Sequence, residues 1–148
     1  RIPGNSKDLI DIDTDKRIPE AKIYFIGFCV HRGSCSMEVS DFLSDLSGKQ
    51  IALFGTCGME DSPEYYKDIA GRVSAWIESD NEYLGYFICQ GKMPQKVRMK
   101  YESMRTPENT AQIDRCVRNF DLALTHPDSL DVEHAKVFVD HMLKKIEL

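Results

Sequence analysis

"IALFGTCGMEDSPEYY", residues 51 to 66, carries three signals in a row. Ile51-Ala52-Leu53-Phe54 is a short continuous apolar run, the pattern of a strand buried on both faces. Gly55-Thr56-Cys57-Gly58 follows, and glycines so close together let a backbone turn sharply or lie against another group. Ser62-Pro63 then supplies a helix N-cap with proline at the first helical position. Strand, glycine-bearing loop and helix start, in that order, form the repeating unit of an α/β protein.

The same unit recurs on either side. Upstream, Ile23 to Val30 is rich in the branched and aromatic residues of a central strand. Val39, Phe42, Leu43 and Leu46 then fall at i, i+3, i+4 and i+7, which predicts a helix with one apolar stripe, closed by Ser47-Gly48. Downstream, Tyr66, Ile69, Ala70, Val73 and Ile77 give the stripe of a second helix, with Trp76 expected in the core beside it. Leu84 to Cys89 is a third buried run, broken by Gln90-Gly91-Lys92-Met93-Pro94. The remainder reads as helical: a polar stretch over 95–105, one carrying Ile113, Val117, Phe120 and Leu124, and a terminal one carrying Ala135, Phe138, Met142 and Ile146. His126-Pro127-Asp128 is the turn before the last, with Asp131 starting the helix. Leu9-Ile10-Asp11-Ile12, short and half polar, suits an edge strand.

The totals bound the function. A length of 148 residues suits one domain that needs no metal or disulfide staple. Apolar residues at 42% and charged residues at 29% belong to a folded globular protein. No apolar run approaches the roughly 18 residues of a membrane span, so no membrane span and a cytoplasmic location are expected. The five cysteines include no Cys-x-x-Cys pair, which argues against a disulfide framework and a zinc site. A net charge of -5 argues against nucleic acid and fits a basic protein partner. No Ser-His-Asp order stands out. The chain opens on Arg1 in a polar segment that reads as the interior of something longer.

Right-handed crossovers make such strands parallel, so the segments after them emerge on one edge of the sheet, where open α/β sheets bind ligands. Three segments converge there: Cys29 to Cys35, Gly55 to Asp61, and Gln90 to Met93. Cys29, Cys57 and Cys89, at strand ends, are expected as small buried fillers. His31 and Arg32 read as a solvated loop pair, and His126, His134 and His141 are assigned no chemistry.

At this point "IYFIGFCVHRGSC", "IALFGTCGMEDSPEYY" and "LGYFICQGKMP" together resemble consecutive segments of the flavodoxin-like family, whose F-G-T-x-G loop precedes a Ser-Pro or Ser-Glu helix start. The resemblance implies a three-layer α/β sandwich, a central parallel sheet with helices on both faces. It implies FMN as cofactor, its ring clasped by two loops. Carried over by position, Phe28, Cys29, Val30, His31, Arg32, Gly33 and Cys35 belong to one clasp, and Gly55, Thr56, Cys57, Gly58 and Met59 to the other. Gly4-Asn5-Ser6 has the order of the family's phosphate loop, which uses backbone amides and hydroxyls rather than a cation.

Residues 1–148 then read as one flavodoxin-like domain lacking the family's first strand and helix. The implied function is electron transfer to a redox partner protein, by one-electron steps or a two-electron relay; a narrower expectation is the companion of a bacterial bilirubin reductase system. An FMN-dependent NAD(P)H reductase of quinones or similar acceptors, and a flavin-free interaction domain of the same fold, are the alternatives.

Overall fold

The computed structural model of the chain describes residues 7–15, 17–59 and 62–147. Among them the elements run β1 (Ile23–Cys29), α1 (Met37–Asp45), β2 (Gln50–Cys57), α2 (Pro63–Ser74), β3 (Glu82–Gln90), α3 (Gln95–Ser103), α4 (Thr110–Ala123) and α5 (Ser129–Glu147). The strands form one parallel sheet in the order β1-β2-β3. A helix therefore separates each strand from the next, and all three strands end on one edge.

Successive side chains of a strand point to opposite faces, and the two sets enter different layers. Ile26 and Phe28 of β1, Ile51, Leu53 and Cys57 of β2 and Ile88 of β3 share a buried cluster with residues of α1 and α2 such as Leu43 and Ile69. On the other face Ala52 and Leu84 bury against Met142 of α5, with Phe25, Phe138 and Ile146 packed around them. The architecture is thus α/β in three layers, with helices on both faces of the sheet. A fully buried Leu or Ile contributes about 1.5–3 kcal/mol over an exposed one. Leu43, Ile51, Leu53 and Ile69 are all fully buried, so the α1–α2 side carries most of the apolar stabilisation.

β2 continues through Gly55 and Thr56 to Cys57, past the apolar run and into what the sequence suggests is loop. The reason lies across the sheet. Phe28 pairs opposite Gly55, and its ring comes within 2.8 Å of where a Gly55 Cβ would stand. The glycine makes room for a core aromatic inside a strand.

β3 is irregular where Ile51 and Ala52 pair with Tyr83 and Gly85, leaving Leu84 as an extra residue. The Leu84 carbonyl accepts a 3.0 Å bond from Nζ of Lys145, in the last turn of α5. This ties the bulge to the covering helix.

Several expectations are corrected. Leu9 to Ile12 forms no strand. Asp15 donates its N–H to the Asp11 carbonyl at 2.8 Å, and Asp11 donates its own to Oδ2 of Asp15 at 2.6 Å. Closely spaced aspartates favour such local bonds over a ladder. Trp76 is 49% exposed because α2 ends at Ser74 and the indole falls in the following turn. Leu124 is exposed at the end of α4, where Ala123 is buried instead. Cys29 is exposed rather than a buried filler, while Cys57 and Cys89 are buried. Asp128, not Asp131, caps α5: its Oδ1 accepts the N–H groups of Leu130 and Asp131, and Oδ2 of Asp131 accepts the Asp128 N–H in return.

Candidate functional site

The carboxyl ends of the strands carry an in-register row of small polar side chains. Cys29 pairs with Thr56 and Thr56 with Cys89, so all three share a face of the sheet. Thr56 Oγ1 lies 3.6 Å from the Cys29 sulfur. Burial, reinforced by the carboxylates of Asp131 and Asp128, pushes the Cys89 thiol up to about 11.

The connection after β1 is a tight turn. His31 and Ser34 exchange backbone bonds of 2.8 and 3.0 Å, and Arg32 and Gly33 between them have φ of 50° and 78°. Two successive positive φ angles define a type I′ turn, which glycine adopts freely and arginine only at a cost. Arg72 of α2 steadies it, donating Nη1 to the Gly33 carbonyl at 3.1 Å. His31 and Arg32 are exposed, and Val30 is bound back to β2 by a 2.8 Å bond to the Thr56 carbonyl. Cys35 is half-buried just beyond, its thiol raised chiefly by burial.

The connection after β2 is held more firmly. The Cys57 carbonyl accepts the Gly91 N–H at 2.9 Å. The Gly58 carbonyl accepts Nδ2 of Asn119 at 2.7 Å and Nε2 of Gln90 at 3.4 Å. Gln90 and Asn119 are joined to each other at 3.3 Å, and both are only 8% exposed. Burial is the main influence on the Cys57 thiol and raises it. A Cβ on Gly58 would meet Met93 at 2.4 Å, and Met59 beyond it is exposed. Ser62 caps α2 by accepting the Tyr65 N–H at 3.4 Å.

The sequence-predicted residues therefore divide. Val30, His31, Arg32 and Gly33 line one side of the edge, Gly58 and Met59 the other, with Cys29 and Thr56 between. The side chains of Phe28 and Cys57 enter the α1–α2 core, and Gly55 is buried there. Gly4, Asn5 and Ser6 lie outside the described residues. Asn119 and Arg72 escape a reading of the sequence as loops, because each acts on the turns from a helix, whereas Gln90, expected in the third converging segment, is the last residue of β3.

A groove of about 530 Å³ opens from Thr56 and Cys89 along the α5 face of the sheet. Phe25, Phe54 and Phe87 form its floor, and Val132, Ala135 and Phe138 of α5 one wall. Near its mouth His126 Nδ1 lies 2.6 Å from Oδ2 of Asp131. His126, Asp128 and Asp131 have donor atoms within 4.8 Å of one another, an arrangement the capping bonds of α5 already account for. Among the described residues no helix is long and apolar enough to cross a membrane.

A parallel three-layer α/β domain with glycine turns at its carboxyl edge is a flavodoxin-like fold. The family model described as a flavodoxin domain matches residues 1–140, and the chain belongs to that family. It is 34% identical to the flavodoxin-like domain-containing protein BilS of Clostridioides difficile (strain CD3), over 85% of this chain and 72% of that protein. It is 32% identical to the protein of the same description from Clostridium symbiosum (strain WAL-14163), over 80% of this chain and 66% of that one. The family and these relatives define a flavodoxin-type redox protein.

Proposed function

We propose that the protein binds FMN at the carboxyl edge of the sheet and delivers electrons to a protein partner. The observation that carries the reading is the pair of glycine turns flanking Thr56, each with a carbonyl tied down by side chains from elsewhere in the fold. A flat ring needs a slot whose walls do not move and whose backbone groups are set beforehand. Both turns require glycine, since the space a side chain would take is occupied at Gly33 by Arg72 and at Gly58 by Met93. FMN, when bound, supplies the one- or two-electron chemistry.

In this reading Val30, His31, Arg32 and Gly33 flank the ring on one side and Thr56, Gly58 and Met59 on the other. Cys29 and Cys35 border the first turn. Phe28, Gly55 and Cys57 support the clasp from the core, and Gly4-Asn5-Ser6 hold the phosphate. The net charge of -5 favours a basic partner surface. The companion role in a bilirubin reductase system is the narrower form of the proposal. Its test is whether the reduced protein accelerates bilirubin reduction by such a reductase, and no acceleration would remove it.

The family's first strand and helix belong to the same proposal. Among the described residues β1 has no neighbour on its outer side. Beside α5 the floor of Phe25, Phe54 and Phe87 is open, with Phe54 44% exposed. A strand added to β1 and a helix laid on that floor would cover both.

FMN fluorescence on titration with the protein tests the proposal: quenching with one-to-one saturation is expected. Turnover of NAD(P)H by the protein alone would favour the reductase reading over the carrier.

A further inference from the structure

α3 buries none of its residues and packs chiefly on α4. Its two faces differ. On one, Val97, Arg98, Tyr101 and Arg105 are partly buried, and α4 neutralises both arginines. Arg98 pairs with Asp121 and lies over the Phe120 ring at 5.8 Å, while Arg105 bonds Asp114 at 2.7 Å and Glu102 of its own helix at 3.0 Å. On the other, Lys96, Met99, Lys100 and Ser103 recur at i, i+3, i+4 and i+7, and all four are exposed, Met99 by 67%. Among the described residues neither Lys96 nor Lys100 has a carboxylate within ion-pair distance.

Charge is thus spread unevenly along the chain. Residues 92–118 carry seven Lys and Arg against three Asp and Glu, a net +4 in a chain of -5, which leaves -9 for the remainder. Overall charge acts at a distance, whereas at contact the charge within about 8 Å decides. We propose that the exposed face of α3 is a docking surface for an acidic, partly apolar patch on the protein partner, with Met99 at its centre and Lys96 and Lys100 meeting carboxylates. This takes the partner from the reading above and names the surface and its chemistry; the partner's basic surface faces the acidic remainder. Methionine is enriched at interfaces and adapts to the shape opposite. The placement suits the role. Gly91 donates to the Cys57 carbonyl at 2.9 Å and Met93 fills the space at Gly58, so α3 starts beside the clasp. Two unpaired lysines are too few for a membrane or nucleic acid, which call for a longer basic stripe. Seated on the acidic remainder of a second copy, α3 would make a contact that repeats without closing.

The probe is cytochrome b5, an acidic haem protein, with the basic cytochrome c as counter-probe. Backbone amide shifts of the flavin-free, isotope-labelled protein are followed at low salt as each is added. Cytochrome b5 is expected to shift residues 96–104 first, and to bind the Lys96→Glu/Lys100→Glu variant about tenfold more weakly. Met99→Ala is expected to weaken binding about threefold through lost apolar contact. Lys67→Glu/Lys144→Glu makes the same change in overall charge on α2 and α5, and is expected to weaken binding less than about twofold. With FMN loaded and the protein photoreduced, the second-order rate of cytochrome b5 reduction is expected to follow the same order.

Equal affinity of cytochrome b5 for the unsubstituted protein and for Lys96→Glu/Lys100→Glu would overturn the inference. Shifts confined to other elements would do the same, as would an equal loss in Lys67→Glu/Lys144→Glu, since overall charge would then be the cause. Tighter binding of cytochrome c to the α3 face would also overturn it. So would sedimentation with phosphatidylserine vesicles, or self-association in the ultracentrifuge, that Lys96→Glu/Lys100→Glu abolishes, because the occupant would then be a membrane or a second copy. Binding is read without flavin, so failure to take up FMN overturns the functional reading and leaves this surface standing.

Discussion

Asn119 of α4 donates its side-chain amide to the carbonyl of Gly58, 2.7 Å away and 61 residues earlier in the chain. The bond joins a helix from the last third of the sequence to the turn that closes β2. Replacing Asn119 with Ala leaves the Gly58 carbonyl and Gln90 each short of a buried partner, which costs about 1–3 kcal/mol. Urea denaturation followed by circular dichroism should show a lower midpoint; an unchanged midpoint would mean that water replaces the amide without penalty.

Two glycines face aromatic rings on opposite sides of the sheet, and their substitutions should differ. A Gly55 Cβ would come within 2.8 Å of the Phe28 ring, which is buried and has nowhere to move. A Gly27 Cβ would come within 2.7 Å of the Phe54 ring, which is 44% exposed and can swing outward. Gly55→Ala is expected to cost about 1–3 kcal/mol, as overpacked cores do, and Gly27→Ala less. Thermal unfolding of both variants gives the order, and the reverse order would place the packed side of the sheet wrongly.

The thiols should separate by burial. Cys29 is exposed, whereas Cys57 and Cys89 are buried, with Cys89 pushed up to about 11. Since the thiolate is the reacting form, iodoacetamide at about pH 8 should label Cys29 first and leave Cys89 unlabelled until the protein unfolds. Peptide mass spectrometry reads the sites. Labelling of Cys89 at the rate of Cys29 would contradict the packing of β3 against α5.

Much of this architecture can be read from the chain, and the unreadable parts have a common cause. The continuous apolar runs at Ile23, Ile51 and Leu84 announce strands because strands covered on both faces need no polar alternation. Ser62-Pro63 announces α2 because capping is local chemistry, and the cap is found where the residues put it. The end of β2 is different: Gly55 looks like loop until Phe28, on another strand, gives the glycine a reason. The polar anchors are hidden in the same way. Gln90 sits where the third strand breaks and looks like turn material, although it is paired opposite Cys57. Asn119 left a faint trace, a polar residue flanked by Phe120 on the buried side of α4, but nothing local connects it with Gly58. Interactions across sequence distance decide these positions, and periodicity does not record them.

At the start of α5 a pH dependence follows from Asp128. The backbone N–H of Asp131 holds its carboxyl below the ordinary value of 3.8, with desolvation opposing and the N–H of Leu130 assisting. The charged form is thus favoured by folding. Its contribution to stability is fully present above 3.8 and is lost as pH falls through the lower folded value. Urea midpoints measured between about pH 5 and pH 2 should fall less steeply for Asp128→Asn than for the unsubstituted protein. Parallel curves would show that the cap does not depend on the charge.

The most direct test of the central claim is a fluorescence titration of FMN with the purified protein, accompanied by the absorbance spectrum of the mixture after removal of free flavin. Binding between the Val30–Ser34 and Gly58–Met59 turns predicts quenching that saturates at one equivalent and a yellow protein, with affinity weakened in Gly58→Ala because Met93 already fills the space. Undiminished FMN fluorescence and a colourless protein would contradict it.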